Sequence, residues 1–137
     1  MRFEELQVGN SAEFSKTITE ADVVLFAGIT GDLNPVHIDQ HAAEKSRFGG
    51  RIVHGMLTAG LVSAVLGTRL PGPGCIYLQQ TLRFTGAVHI GETVTARVEV
   101  AEVVSGKRRV RLLTTCRTQD GRSVLEGEAL VLVPAQE

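Results

Sequence analysis

One bent stretch of the chain carries residues whose types and spacing suit proton chemistry. In Gly31-Asp32-Leu33-Asn34-Pro35-Val36-His37-Ile38-Asp39 a carboxylate and an imidazole stand five residues apart around a proline. Pro35 pushes Asn34 out of the helical region, so the segment bends. From such a bend Asp32 and His37 can face one cavity. There a carboxylate and an imidazole together hold a water, take a proton from it and return one. Histidine is the side chain that titrates nearest neutrality, and a neighbouring carboxylate helps to set its charge. The same residues also suit an Asx turn at Asp32 or Asn34 beside a surface His37, and spacing alone leaves both readings open.

His54-Gly55 opens a long apolar stretch that reads as a helix. Unpaired N–H groups at a helix start carry positive partial charge. A glycine there lets an acyl carbonyl approach the backbone closely. If that carbonyl gains charge as an enolate forms, the N–H groups stabilise it. The plainer reading is that Gly55 serves close packing of helix on sheet. Ser63 lies eight residues further along the same helix, where its hydroxyl needs a partner. Its own backbone carbonyl and the carboxylate of Asp32 are both candidates.

Other chemistries find little support. His37-x-Asp39-x-His41 offers three metal-ligand types but no further local acid, so no metal site is expected. Ser63 sits in Leu-Val-Ser-Ala-Val, not in a Gly-x-Ser-x-Gly elbow. Cys75 and Cys116 match neither a disulfide framework nor a zinc spacing, and neither lies near a helix start or a suitable histidine. No phosphate-cradling or dinucleotide glycine pattern is present. Lys107-Arg108-Arg109-Val110-Arg111 reads as a solvated strand face.

The elements that must position these residues follow from length and periodicity. A chain of 137 residues suits one domain, 1–137, able to bury a core without staples. Its net charge of −1 gives no field for holding nucleic acid or an acidic membrane, and 4% aromatic residues with no Trp leave no base-stacking platform. The early acids Glu4 and Glu5 do not read as a secretory signal, and no stretch is long and apolar enough to span a membrane, so a cytoplasmic protein is expected. Ala12 to Thr19 alternates weakly as a strand. Thr19-Glu20-Ala21-Asp22 reads as a capping box for a helix from about Glu20 to Ile29, burying Val23, Val24, Phe26 and Ala27. Asp39 can cap a short second helix. From His54 to Gly67 apolar residues occupy nearly every side, so that helix should be wrapped all round by this chain or a partner.

Period two then takes over. Ile76, Leu78, Gln80, Leu82 and Phe84 share one face, as do Val94, Ala96, Val98 and Val100, and then Val110, Leu112, Thr114 and Cys116. Ser105-Gly106-Lys107 and Asp120-Gly121 are hairpin turns, and Val124 to Val133 is the last strand. Helix signals in the first half and strands in the second favour α+β. Four long strands in an antiparallel meander, curling around one central buried helix, make the hotdog arrangement. Apolar residues on both strand faces, such as Leu112 with Leu113 and Val131 with Leu132, predict a homodimer.

Residues 31–39 match the motif G-D-x-N-P-x-H-x-D, and the chain thereby resembles the MaoC-like (R)-specific enoyl-CoA hydratases. Arg51-Ile52-Val53-His54-Gly55-Met56-Leu57 looks like that family's start of the central helix. The segment Arg83 to Glu92 is similar to its later strand signature, with Ala87 in place of a proline and Glu92 in place of an aspartate. The resemblance spans roughly residues 8 to 133. It implies that Asp32 and His37 are the catalytic pair that hydrates a trans-2-enoyl thioester to the (R)-3-hydroxyacyl thioester and runs the reverse dehydration. It also implies that Asn34 sets the loop, that Gly55 donates to the thioester carbonyl, and that Ser63 lies close to the pair. A coenzyme A thioester substrate, a hotdog homodimer that can assemble further, and no metal or redox cofactor go with it. The alternatives are a hotdog acyl-CoA thioesterase, a dehydratase acting on 3-hydroxyacyl groups of acyl-carrier protein, and a non-catalytic acyl-CoA-binding module.

Overall fold

The structure is a computed structural model that describes residues 1–136. After a 3-10 turn at Phe3–Glu5 come strand β1, Ser11–Thr17, and helix α1, Glu20–Thr30. The capping box forms as the sequence predicts. Thr19 Oγ1 accepts from the Asp22 N–H at 3.2 Å, and Asp22 Oδ2 accepts from the Thr19 N–H at 2.9 Å. Helix α1 stops at Gly31, whose φ of 80° is the left-handed conformation that glycine adopts without strain. Two short helices follow, α2 at Pro35–Ile38 and α3 at Gln40–Glu44, and then the long helix α4, Gly55–Thr68. The remaining strands are β2, Ile76–Gln80; β3, Arg83–Phe84; β4, Thr93–Val104; β5, Arg109–Thr118; and β6, Ser123–Leu132.

All six strands join one antiparallel sheet, in the order β1-β4-β5-β6-β2, with β3 also on β6. Strands β4, β5 and β6 form a meander because short turns link them. Their alternate residues face α4. Val98 pairs with Thr114, Leu112 with Ala129 and Val110 with Val131, and all six are buried. Register shifts between β4 and β5 at Val100/Glu102 and between β5 and β6 at Cys116/Arg117 help to bend the sheet. Across its concave face α4 lays Leu57, Leu61 and Val65 beside Thr58, Val62 and Leu66, two rows at four-residue spacing. Burying each large apolar side chain contributes about 1.5–3 kcal/mol. The sheet and the central helix confirm the α+β hotdog expectation.

Two expectations need correction. The segment 76–85 is not a member of a sequential meander. It lies at the far edge of the sheet, beside β6, and breaks into β2 and β3 at Thr81–Leu82. The break is fixed from below. Thr81 N–H donates to Glu128 O at 2.9 Å, Thr81 Oγ1 accepts from Glu128 N–H at 3.0 Å, and the Thr81 carbonyl rests over Gly127. Helix α1 buries Val23 and Ala27, but Val24 is exposed together with Leu25 and Ile29, because the helix lies on the surface and only one narrow side meets the core. This chain alone wraps α4 only in part. Met56, Gly60 and Ser63 are exposed, since a single sheet covers one side of a helix and the described residues bring nothing to the other. No helix of the described residues is long and apolar enough to cross a membrane.

Candidate active site

The loop between α1 and α2 is built from local hydrogen bonds. Thr30 Oγ1 accepts from the Asp32 N–H at 3.1 Å, and Asp32 Oδ1 accepts from the Asn34 N–H at 3.3 Å, an Asx turn. Asn34 Oδ1 in turn accepts from the Val36 N–H at 3.3 Å and caps α2, with Pro35 as its first residue. The Asx-turn reading therefore holds at both Asp32 and Asn34, whereas His37 is not a surface residue. A single turn of helix after Pro35 swings it inward to 8% exposure.

His37 is held from the segment that precedes α4. Its Nδ1 lies 2.8 Å from the main-chain oxygen of Ile52. A carbonyl oxygen only accepts, so Nδ1 carries a proton and Nε2 is left with the lone pair that can take a proton from water. Ile52 N–H donates back to Val36 O at 3.1 Å. Arg51 Nε donates to the His37 main-chain oxygen at 2.7 Å, while Arg51 Nη1 reaches Glu20 Oε1 at 2.5 Å and ties the turn to the start of α1. His54 stacks on the His37 ring, with centroids 3.8 Å apart and planes at 27°.

A carboxylate oxygen of Asp32 and one ring nitrogen each of His37 and His54 lie within 4.8 Å of one another. They are the one such cluster of three or more metal-ligand types among the described residues. Its two rings are stacked, so their in-plane lone pairs run in nearly parallel sheets and do not converge on one ion as tetrahedral ligation requires. Asp39 is occupied elsewhere, its Oδ1 capping the Ala42 N–H at 3.1 Å, and His41 is exposed.

Asp32, His37 and His54 open onto a cavity of about 500 Å³ with Gly55, Met56, Phe84, Val88 and Val124. Gly55 is the first residue of α4. His54 supplies no side-chain cap, and the N–H groups of Gly55 and Met56 have no acceptor among the described residues, so they are free for an oxygen in the cavity. A Cβ on Gly55 would stand 2.7 Å from the Phe84 ring, which explains the glycine in packing terms as well.

Ser63 is not brought to the pair within this chain. It follows Met56 by seven residues, two helical turns, and so shares the exposed side of α4. There it lines a separate groove with Met56, Ala59, Gly60, Tyr77 and Leu78. Three further side chains at the site carry no role that the sequence alone points to: the ring of His54, the guanidinium of Arg51 and the ring of Phe84. His54-Gly55 points only to its backbone, and the segments that hold Arg51 and Phe84 mark a family likeness without giving either side chain a role. Neither cysteine is poised for thiol chemistry. Burial pushes the Cys116 thiol up to about 12, and it raises that of Cys75 as well.

Residues 4–121 match the family described as MaoC like domain. A 3-hydroxybutyryl-CoA dehydratase of Methylorubrum extorquens is 55% identical over 135 residues, covering 98% of this chain and 85% of that protein. An (R)-specific enoyl-CoA hydratase of Rhodospirillum rubrum is 53% identical over 134 residues, covering 98% and 92%. An unliganded (R)-hydratase structure from Pseudomonas aeruginosa superposes with a TM-score of 0.94 at 46% identity, covering 98% of this chain and 86% of that one. The motif around Asp32 and His37, the sheet wrapped on α4 and these likenesses over nearly the whole length agree, and the chain belongs to the MaoC-like family of hotdog-fold hydratases and dehydratases.

Proposed function

We propose that the protein adds water across the C2–C3 double bond of a trans-2-enoyl-CoA, giving the (R)-3-hydroxyacyl-CoA, and catalyses the reverse dehydration. The observation that carries this reading is the meeting of three groups on one cavity: the Asp32 carboxylate, the free Nε2 of His37 and the free N–H of Gly55. The Gly55 N–H donates to the thioester oxygen, which makes C3 electrophilic and stabilises the enolate charge. Asp32 and His37 hold the attacking water, one taking its proton while a proton passes to C2. The pair acts as a coupled unit. Asn34 keeps the loop in shape through its cap on α2. The chemistry calls on no metal or redox cofactor. Although the family match ends at residue 121, β6 is paired along β5 and carries part of the cavity wall through Val124, which supports the whole chain acting as one catalytic domain. A cytoplasmic location is part of this reading.

Asp32 and His37 come from one loop, so water addition and proton delivery share a side of the enoyl plane. Hydration of crotonyl-CoA in deuterated water is expected to be syn, with the product oxidised by an (R)-specific and not an (S)-specific dehydrogenase. Absorbance loss with release of free thiol would instead indicate a thioesterase. Turnover confined to acyl-carrier-protein thioesters would move the substrate to that carrier, and tight binding without turnover would indicate a binding module.

The protein acts as a homodimer in this reading. The side of α4 that carries Met56 and Ser63 forms a groove of about 390 Å³ with β2. On that edge strand Ile76, Tyr77 and Leu78 are 39–47% exposed. An apolar helix side beside an apolar edge strand suits a second copy placed by a two-fold axis. Light scattering at micromolar concentration is expected to give at least twice the 14.7 kDa of one chain. The mass of a single chain would remove the dimer.

A further inference from the structure

His54 is 2% exposed, and the hydration chemistry makes no use of its ring. Its Nε2 lies 3.0 Å from the main-chain oxygen of Asp32. That oxygen only accepts, so the imidazole proton sits on Nε2. The other nitrogen, Nδ1, is buried with no hydrogen-bond partner among the described residues. The ring stacks on His37 and packs against Phe26 of α1, with centroids 4.8 Å apart.

The hydrogen bonds of the loop show why this contact matters. Gly31 N–H donates to Ala27 O, Asp32 N–H to Thr30 Oγ1, Leu33 N–H to Gly31 O and Asn34 N–H to Asp32 Oδ1. The remaining bonds of this loop run from Val36 and His37 to Asn34. All of these partners lie within four positions of each other. The His54 bond, spanning 22 residues, is the one tie from residues 31–34 to a distant element among the described residues. Asp32 itself is exposed, so neither packing nor a salt bridge replaces that tie.

We propose that His54 is a positioning residue for the hydration: its Nε2–H anchors the Asp32 main chain to the start of α4 while its ring seats the His37 imidazole. The anchor is intrinsic to the fold, and its catalytic consequence rests on the hydratase reading above. One residue thus sets the spacing between the carboxylate, the imidazole and the Gly55 N–H that follows it in the chain. A displacement of about 1 Å in such a constellation is enough to lower a rate about 100-fold.

The test compares the wild-type protein with His54→Phe, which keeps a flat ring and loses the donor, and His54→Gln, which keeps a side-chain N–H at similar reach. Steady-state hydration of crotonyl-CoA, thermal melts and ¹⁵N spectra of the imidazoles are measured on the full chain. The Phe variant is expected to lose kcat by about 10- to 100-fold with KM within about threefold, and the Gln variant to recover most of that loss. Retention of more than about half the wild-type kcat in the Phe variant overturns the proposal. So does a loss confined to KM, or equal impairment of both variants at unchanged melting temperature. If the Phe variant does not fold, the wild-type spectrum decides: His54 is expected to show a protonated Nε2 and a bare Nδ1, and the opposite tautomer overturns the anchor. Absence of wild-type turnover would defeat the hydratase reading instead, and the tautomer would still report on the anchor.

Discussion

Replacement of Asp32 by Asn, or of His37 by Gln, is expected to lower the rate of crotonyl-CoA hydration by about 10²–10⁴-fold, the usual worth of a positioned acid or base. Asn at position 32 is nearly isosteric and keeps the Oδ1 that accepts from the Asn34 N–H, so the Asx turn survives. What disappears is the charge that a developing imidazolium at His37 would face. Because Asp32 is exposed, its replacement is expected to change stability by less than about 0.5 kcal/mol. Gln at position 37 loses the ring and with it the arrangement in which the Ile52 carbonyl orients Nδ1 and frees Nε2. Steady-state kinetics with melting curves on the same preparations separate lost chemistry from lost folding. A purified variant that kept more than about a tenth of the wild-type rate would remove that residue from the mechanism.

The largest effect on stability is expected from Gly127→Ala in β6. A Cβ there would overlap the Thr81 carbonyl oxygen outright and sit 2.8 Å from its carbon. These are main-chain atoms, held on both sides by the Thr81–Glu128 hydrogen bonds, so no flexible side chain can give way. Overpacking of this kind typically costs about 1–3 kcal/mol, and this site belongs at the upper end. For a chain of this size the melting temperature should fall by roughly 10 °C. An unchanged melt would show that the crossing over Gly127 is looser than the contact implies.

Much of this architecture was legible in the sequence because the relevant signals are local. The Thr19–Asp22 box, the alternation of Val94, Ala96, Val98 and Val100, and the turn at Asp120-Gly121 each depend on neighbours in the chain. Strand order was not legible, since the partner of β2 is chosen by a shared surface with β6 about 50 residues away. The split between β2 and β3 was missed for the same reason, as its cause is a glycine on another strand. Asp32, Asn34 and His37 stood out because three roles fall within a few residues of one loop. The environment of Ser63 is not legible, because composition shows that a helix is apolar all round but not how many of its sides one sheet can cover. His54 was passed over because its partners, Asp32 O and the His37 ring, adjoin it only after folding.

The short run from Ile52 to Gly55 has a consequence for regiochemistry. Ile52 orients His37, His54 reaches Asp32, and Gly55 offers its free N–H, so in the proposed mechanism the groups that would transfer protons and the N–H that would meet the carbonyl are tied to one piece of backbone. Three residues of chain extend at most about 10 Å. The segment is itself pinned, with Val53 N–H on Val88 O at 2.7 Å and Ile52 bridged to His89. Under that mechanism the site would be a ruler of fixed length between a carbonyl and the carbon that receives water. A conjugated 2-enoyl thioester, whose electrophilic carbon lies two bonds from the carbonyl carbon, fits that ruler whatever the length of the tail beyond it. An isomer with its unsaturation moved one carbon along presents the wrong atom.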